Sequence, residues 1–190
     1  NRKRKTEIVQ FDTIKARRVA AANVKLYMNR EDGFIGTSLK KDEFVCDCSD
    51  IDDIIVFRKN GVMQVVKIDN KVFVGKDIIH CAVFKKKDER TIYNMIYKDG
   101  KSGNTLMKRF PVKSITRSKD YQLTKSDQGS QVLYFTANPN GEAESVTIHL
   151  KKQVKLKTLK IDIDFSKLAI KGKGAGGNIV TKNLVRKVEL

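Results

Sequence analysis

Two histidines, His80 and His149, and three cysteines, Cys46, Cys48 and Cys81, are the side chains best suited to nucleophilic, acid–base or metal chemistry. Nucleophilic catalysis needs a Ser or Cys framed by a His and an orienting acid, and neither histidine stands in such a frame. Cys46 and Cys48 fall on one face of a strand, at a spacing that is neither a zinc knuckle nor a redox pair. With two histidines elsewhere, no four-ligand set suggests itself. The thiols are therefore expected to be free and buried or half-buried, which suits a reducing cytoplasm. Asp50, Asp52 and Asp53 have the chemistry of cation ligands, but an acidic loop between repeats is the simpler reading. The stretch 171–177 is Gly-rich like a phosphate cradle, yet it lacks the Lys-Ser/Thr and the helix that follow in a nucleotide-binding loop. It reads as a hairpin tip carrying Lys171 and Lys173. No catalytic site, cofactor or small-molecule substrate is expected.

The remaining chemistry is positive charge. The 190 residues hold 39 Lys and Arg against 22 Asp and Glu, a formal net charge of +17. A 40% hydrophobic fraction with nine Phe and five Tyr belongs to a folded chain, so the charge sits on a folded surface. Such an excess favours an acidic partner, and a basic folded domain has the electrostatic footprint of a nucleic-acid binder. No run approaches a membrane span and no basic amphipathic helix stands out. The N-terminus, lacking Met and an apolar signal core, reads as a fragment or the stub of a linker.

The elements that must position this charge come from a repeat: apolar strand, short polar turn with Gly, apolar strand. Copies begin at residues 24, 54, 92 and 132, and a degenerate fifth follows residue 168. Asp-Gly and Asn-Gly tolerate the positive φ of tight hairpins. The turn glycines Gly33, Gly61, Gly100, Gly141 and Gly176 are 28, 39, 41 and 35 residues apart, a period suited to blades of about four strands. The expected fold is all-β, a propeller-like ring of four to five hairpin-based blades over residues 23–190. A lead-in spans residues 1–22, with a candidate helix over 12–22; a β-sandwich is the alternative.

Basic residues cluster after turns and between blades: Lys40 and Lys41, Arg58 and Lys59, Lys85 to Lys87, Lys108 and Arg109, Lys151 and Lys152. Lys171, Lys173 and Lys182 add to them near the C-terminus, where residues 151–190 hold eleven basic against three acidic residues. Pairs recurring once per repeat are expected on one side of the ring, as a curved track that bends duplex DNA. Each Lys taken singly also fits the solvated end of a strand. With no recognition helix or zinc finger, binding is expected to tolerate any sequence and to depend steeply on salt. A propeller-like module binding an acidic protein is the rival reading.

The hairpin copies resemble the C-terminal domain of the A subunit of bacterial type IIA topoisomerases, DNA gyrase and topoisomerase IV. The opening Arg4 to Ile8 looks like that domain's junction, and Asp32 to Gly36 is similar to the family's first turn and Gly-aromatic return. Residues 53–68, 91–110 and 177–182 match the same pattern. The resemblance implies a β-pinwheel, whose blades exchange strands, that bends duplex DNA around a basic rim and does not cut it. The cleavage tyrosine would lie outside this chain. The implied partners are double-stranded DNA, the rest of the A subunit, and through it the B subunit, in the bacterial cytoplasm at the nucleoid. The chain lacks the Gln-Arg-Arg-Gly-Gly-Lys-Gly-like box of gyrase, and four or five blades are fewer than gyrase has. Both points favour topoisomerase IV.

Overall fold

Alternating apolar residues interrupted by Gly-containing turns produce strands, and the computed structural model, which describes residues 23–153 and 156–190, contains fifteen. The expected lead-in and helix lie outside the described residues. Blade 1 begins with β1 (Val24–Asn29), β2 (Phe34–Gly36) and β3 (Glu43–Cys48). Then follow β4 (Asp53–Arg58), β5 (Val62–Lys67), β6 (Val72–Phe73) and β7 (Ile78–Phe84). The third repeat supplies β8 (Ile92–Lys98), β9 (Thr105–Pro111), β10 (Tyr121–Gln122) and β11 (Gln131–Asn138). The fourth supplies β12 (Ser145–Leu150), β13 (Lys160–Asp164), β14 (Asn178–Thr181) and β15 (Val185–Glu189).

The sheets do not follow these groups. Their orders are β3-β1-β2-β6, β10-β5-β4-β7, β11-β8-β9-β14 and β13-β12-β15. Each repeat after the first thus makes a hairpin, lends its third strand to the preceding blade, and returns its fourth beside the first. Every named pairing is antiparallel. Two expected hairpins are corrected by this order. β11 and β12 do not pair; the turn at Asn138 to Gly141 joins blade 3 to blade 4. The degenerate fifth copy is no blade, because β14 completes blade 3 and β15 completes blade 4. Both segments carry turn residues between strands, which link blades as readily as they close hairpins.

Three apolar cores lie between successive blades. Leu26, Met28 and Ile35 of blade 1 meet Ile54, Val56 and Val66 of blade 2. On the other side of β4, Ile55 and Phe57 meet Tyr93, Met95 and Phe110 of blade 3. Ile96 of blade 3 meets Ile148, Ile163 and Phe165 of blade 4. A hairpin strand buried on both faces reads as a continuous apolar run, as Ile54 to Phe57 does, because its period-2 faces serve two cores. Each such side chain contributes about 1.5–3 kcal/mol. At the seam of blades 1 and 2, Gly33 has φ +79° and a Cβ there would stand 2.3 Å from the Gly75 carbonyl carbon, so no larger residue fits.

The three cysteines are free and belong to the core of blades 1 and 2. Burial pushes the Cys48 thiol up to about 11 and that of Cys81 to about 12, which makes both poor nucleophiles. His80 packs beside the rings of Phe57 at 5.8 Å and Phe135 at 5.6 Å. Burial, helped by the charge of Arg30, lowers its pKa to about 4. The folded state therefore resists a proton that the unfolded chain takes up at about 6.5. Stability is full above pH 6.5 and falls as pH drops towards 4. The loss by pH 5 is expected to be about 2 kcal/mol. Urea midpoints at pH 7.5 and pH 5 test this: the difference should shrink in His80→Phe, and an equal difference in both proteins would refute it.

Candidate nucleic-acid interface

The hairpin turns at residues 30–33, 59–61 and 99–104, with residues 151–153 and 156–159 between β12 and β13, define a turn end of the blades. From the opposite end the second hairpin strands of repeats 2–4 leave, towards the blade before; this is the crossover end. The expected basic set does not lie on one side of this frame. Lys59, Lys151 and Lys152 are exposed at the turn end. Lys182 joins them, because its link lies beside the blade 4 turn, where the Lys151 N–H donates to Leu184 O at 2.8 Å. Lys85, Lys86 and Lys87 are exposed at the crossover end, beyond the pairing of Phe84 with Asp53. Lys40 and Lys41 are exposed in the link from β2 to β3.

Three expected contacts are internal instead. The Arg58 guanidinium donates to Asp120 at 2.7 Å and packs over Gly75, so it ties links together. Lys108 is 3% exposed, and its ammonium donates to the carbonyls of Leu123, Lys173 and Ala175 at 2.7, 2.6 and 2.8 Å. Burial lowers its pKa to about 8. Arg109, 6% exposed, donates to Asn94 Oδ1 at 2.9 Å and to the carbonyls of Phe165 and Gly141 at 3.2 and 2.9 Å. Adjacent residues of a strand face opposite ways, and β9 has both its faces and both its edges covered, so each buries its charge.

What sequence reasoning missed is the basic content of the crossover from β9 to β10: Lys113, Arg117 and Lys119. The signal was legible as basic residues interleaved with Ser and Thr between two apolar strands. Arg117 pairs with Asp53 at 2.8 Å, and Lys113 with Glu89 at 2.8 Å. This crossover meets the neighbouring segments directly. The Lys87 N–H donates to Lys113 O at 3.2 Å, and the Lys173 ammonium to Ser114 O at 2.9 Å. Lys173 and Lys119 also lie 5.1 and 5.5 Å from the centre of the Tyr121 ring. Lys85–Lys87, Lys113, Lys171 and Lys173 thus form one continuous basic surface drawn from three repeats.

Acidic residues enter this surface at Glu89, which pairs with Lys113, and at Asp53, which pairs with Arg117 and leads into the acidic link before β4. Asp52 accepts from the Ser49 N–H at 2.9 Å in the link from blade 1 to blade 2, as an acidic loop does. Among the described residues no group of three His, Cys, Asp or Glu side chains is placed to hold a metal ion. No helix among them is long and apolar enough to cross a membrane.

Comparison with known proteins bears on this arrangement. A family model described as the topoisomerase C-terminal domain of Bacteroidota matches residues 25–190. The A subunit of DNA topoisomerase 4 from Borreliella burgdorferi is 27% identical over 187 residues, which cover 98% of this chain and 28% of that protein. A crystal structure of the C-terminal domain of DNA topoisomerase IV superposes with a TM-score of 0.58 at 12% identity, over 86% of this chain and 60% of that one. At that identity the likeness is one of fold. The chain belongs to the topoisomerase C-terminal domain family, and its strand-exchanged sheets are a β-pinwheel, an accessory domain and not the catalytic one.

Proposed function

We propose that this domain binds duplex DNA through its backbone phosphates, without reading bases, and bends it along the basic crossover end. The observation that carries this reading is the continuous surface of Lys85–Lys87, Lys113, Lys171 and Lys173, built from consecutive repeats on a topoisomerase C-terminal fold. Ammonium groups bind phosphate as point charges, so they position a duplex without specifying its sequence. Reading a major groove takes a helix or a β-ribbon shaped for it, and the helical content of the described residues is the single turn Phe165–Lys167. Bending costs about 1–6 kcal/mol, which contacts spread over successive blades offset. Within the A subunit of a topoisomerase, the domain steers DNA towards the strand-passage machinery of the A and B subunits, in the cytoplasm at the nucleoid.

Fluorescence anisotropy with two unrelated duplexes across a salt series tests this. Six phosphate contacts would lose about a thousandfold in affinity between 50 and 200 mM salt, equally on both sequences. Absence of binding at low salt would refute the reading and direct the search to an acidic protein partner.

A further inference from the structure

The two crossovers that meet at the blade 3 edge enclose a basin of about 400 Å³, lined by Lys113, Ser114, Ile170, Lys171 and Lys173 among others. None of its lining residues is acidic. We propose that this basin seats one phosphodiester of the bound duplex, and that the buried Lys108 shapes it from below. The proposal rests on the DNA-binding reading and names the contact within it.

The three amines come from two segments far apart in sequence, yet their backbones are fixed before any ligand arrives. On one side of the Gly-rich loop, the Lys171 N–H donates to Arg109 O at 3.0 Å. On the other, the Lys108 ammonium holds Lys173 O and Ala175 O. The Lys173 ammonium closes the wall through Ser114 O and keeps two further donors. A site held in place this way spends little entropy on ordering when it binds. Lys113 is occupied by Glu89, but both side chains are more than half exposed, and such a pair is readily exchanged for a phosphate.

Lys108 fits a positioning role. Burying an ammonium is expensive, and an apolar residue would fill that space at lower cost. What the charge adds is three donors matched to three carbonyls, two of them in the loop that carries Lys171 and Lys173.

The number of phosphates engaged is read from the salt dependence of duplex binding by the whole chain. The variant Lys113→Gln, Lys171→Gln, Lys173→Gln is compared with Lys59→Gln, Lys101→Gln, Lys151→Gln at the turn end. Three lysines on one phosphate should together lower the logarithmic salt slope by about one, not three. Affinity should fall about tenfold, with single substitutions that do not add. Lys108→Met should lose about the same tenfold although no surface charge changes, and Lys171→Gln should add nothing in that background. Should Lys108→Met fail to fold, the triple variant alone decides. A slope loss near three, no loss, or an equal effect of the turn-end control would overturn the seat while leaving DNA binding intact. Failure of the unaltered chain to bind duplex would overturn both.

Discussion

Arg109→Leu is expected to destabilise the domain by about 3–5 kcal/mol, a fall in melting temperature of about 6–20 °C. The guanidinium is the buried junction of blades 3 and 4. It holds Asn94 on its own sheet, the Phe165 carbonyl beyond β13, and the carbonyls of Gly141 and Glu142 in the inter-blade link. Asn94 in turn donates to Glu144 at 2.8 Å. Burial works to raise the Glu144 carboxyl, but bonds from Thr136, Asn94 and Tyr134 outweigh it and hold it below the usual range. Removing the arginine leaves several buried acceptors unpaired at once, each at about 1–3 kcal/mol before relaxation. Arg109→Lys keeps the charge but not the planar fork and should recover only part of the loss. Thermal melts decide the matter; a fall of under 2 °C in Arg109→Leu would show that the junction is held by apolar packing alone.

Charge reversal at Lys85, Lys86 and Lys87, each to Glu, should weaken duplex binding by about a hundredfold or more at low salt, with a salt slope smaller by about three. These residues are exposed and follow β7, so their replacement should alter stability by no more than about 0.5 kcal/mol. The pairing of effects matters: affinity and slope fall while the melting temperature stays. The same reversal at Lys40 and Lys41, in the link from β2 to β3 on blade 1, should do less. Equal affinity and slope before and after reversal at Lys85–Lys87 would remove the crossover end from the DNA path.

The hairpins of the first three repeats were legible because Asp-Gly and Asn-Gly turns sit between apolar runs, and local turn chemistry is written locally. The lending of β6, β10 and β14 to preceding blades was not. Two of those strands are only two residues long, Val72–Phe73 and Tyr121–Gln122, and such a run carries no period. Asn138 to Gly141 has the composition of a hairpin turn and serves as a link between blades, so β11 and β12 read as partners. In the interface, exposure was the illegible quantity. Lys108 and Arg109 look like any basic pair after a turn, and only the sheet order, with β14 covering the edge of β9, shows that both are enclosed. The reverse error hid Lys113 and Lys119, which are not adjacent in sequence and gather only where crossovers meet.

The order in which strands are assigned bears on how such a chain can vary in length. Each repeat after the first is written as two hairpin strands, one strand for its predecessor and one for itself. If one complete repeat is excised, the next repeat's third strand meets the edge that the missing one would have filled. Duplication of a whole repeat is accommodated in the same way. The number of blades is therefore free to change by recombination between repeats with no sheet left short except the last, which has three strands in any case. A cut within a repeat behaves differently, since it deprives two neighbouring sheets of a strand in one step.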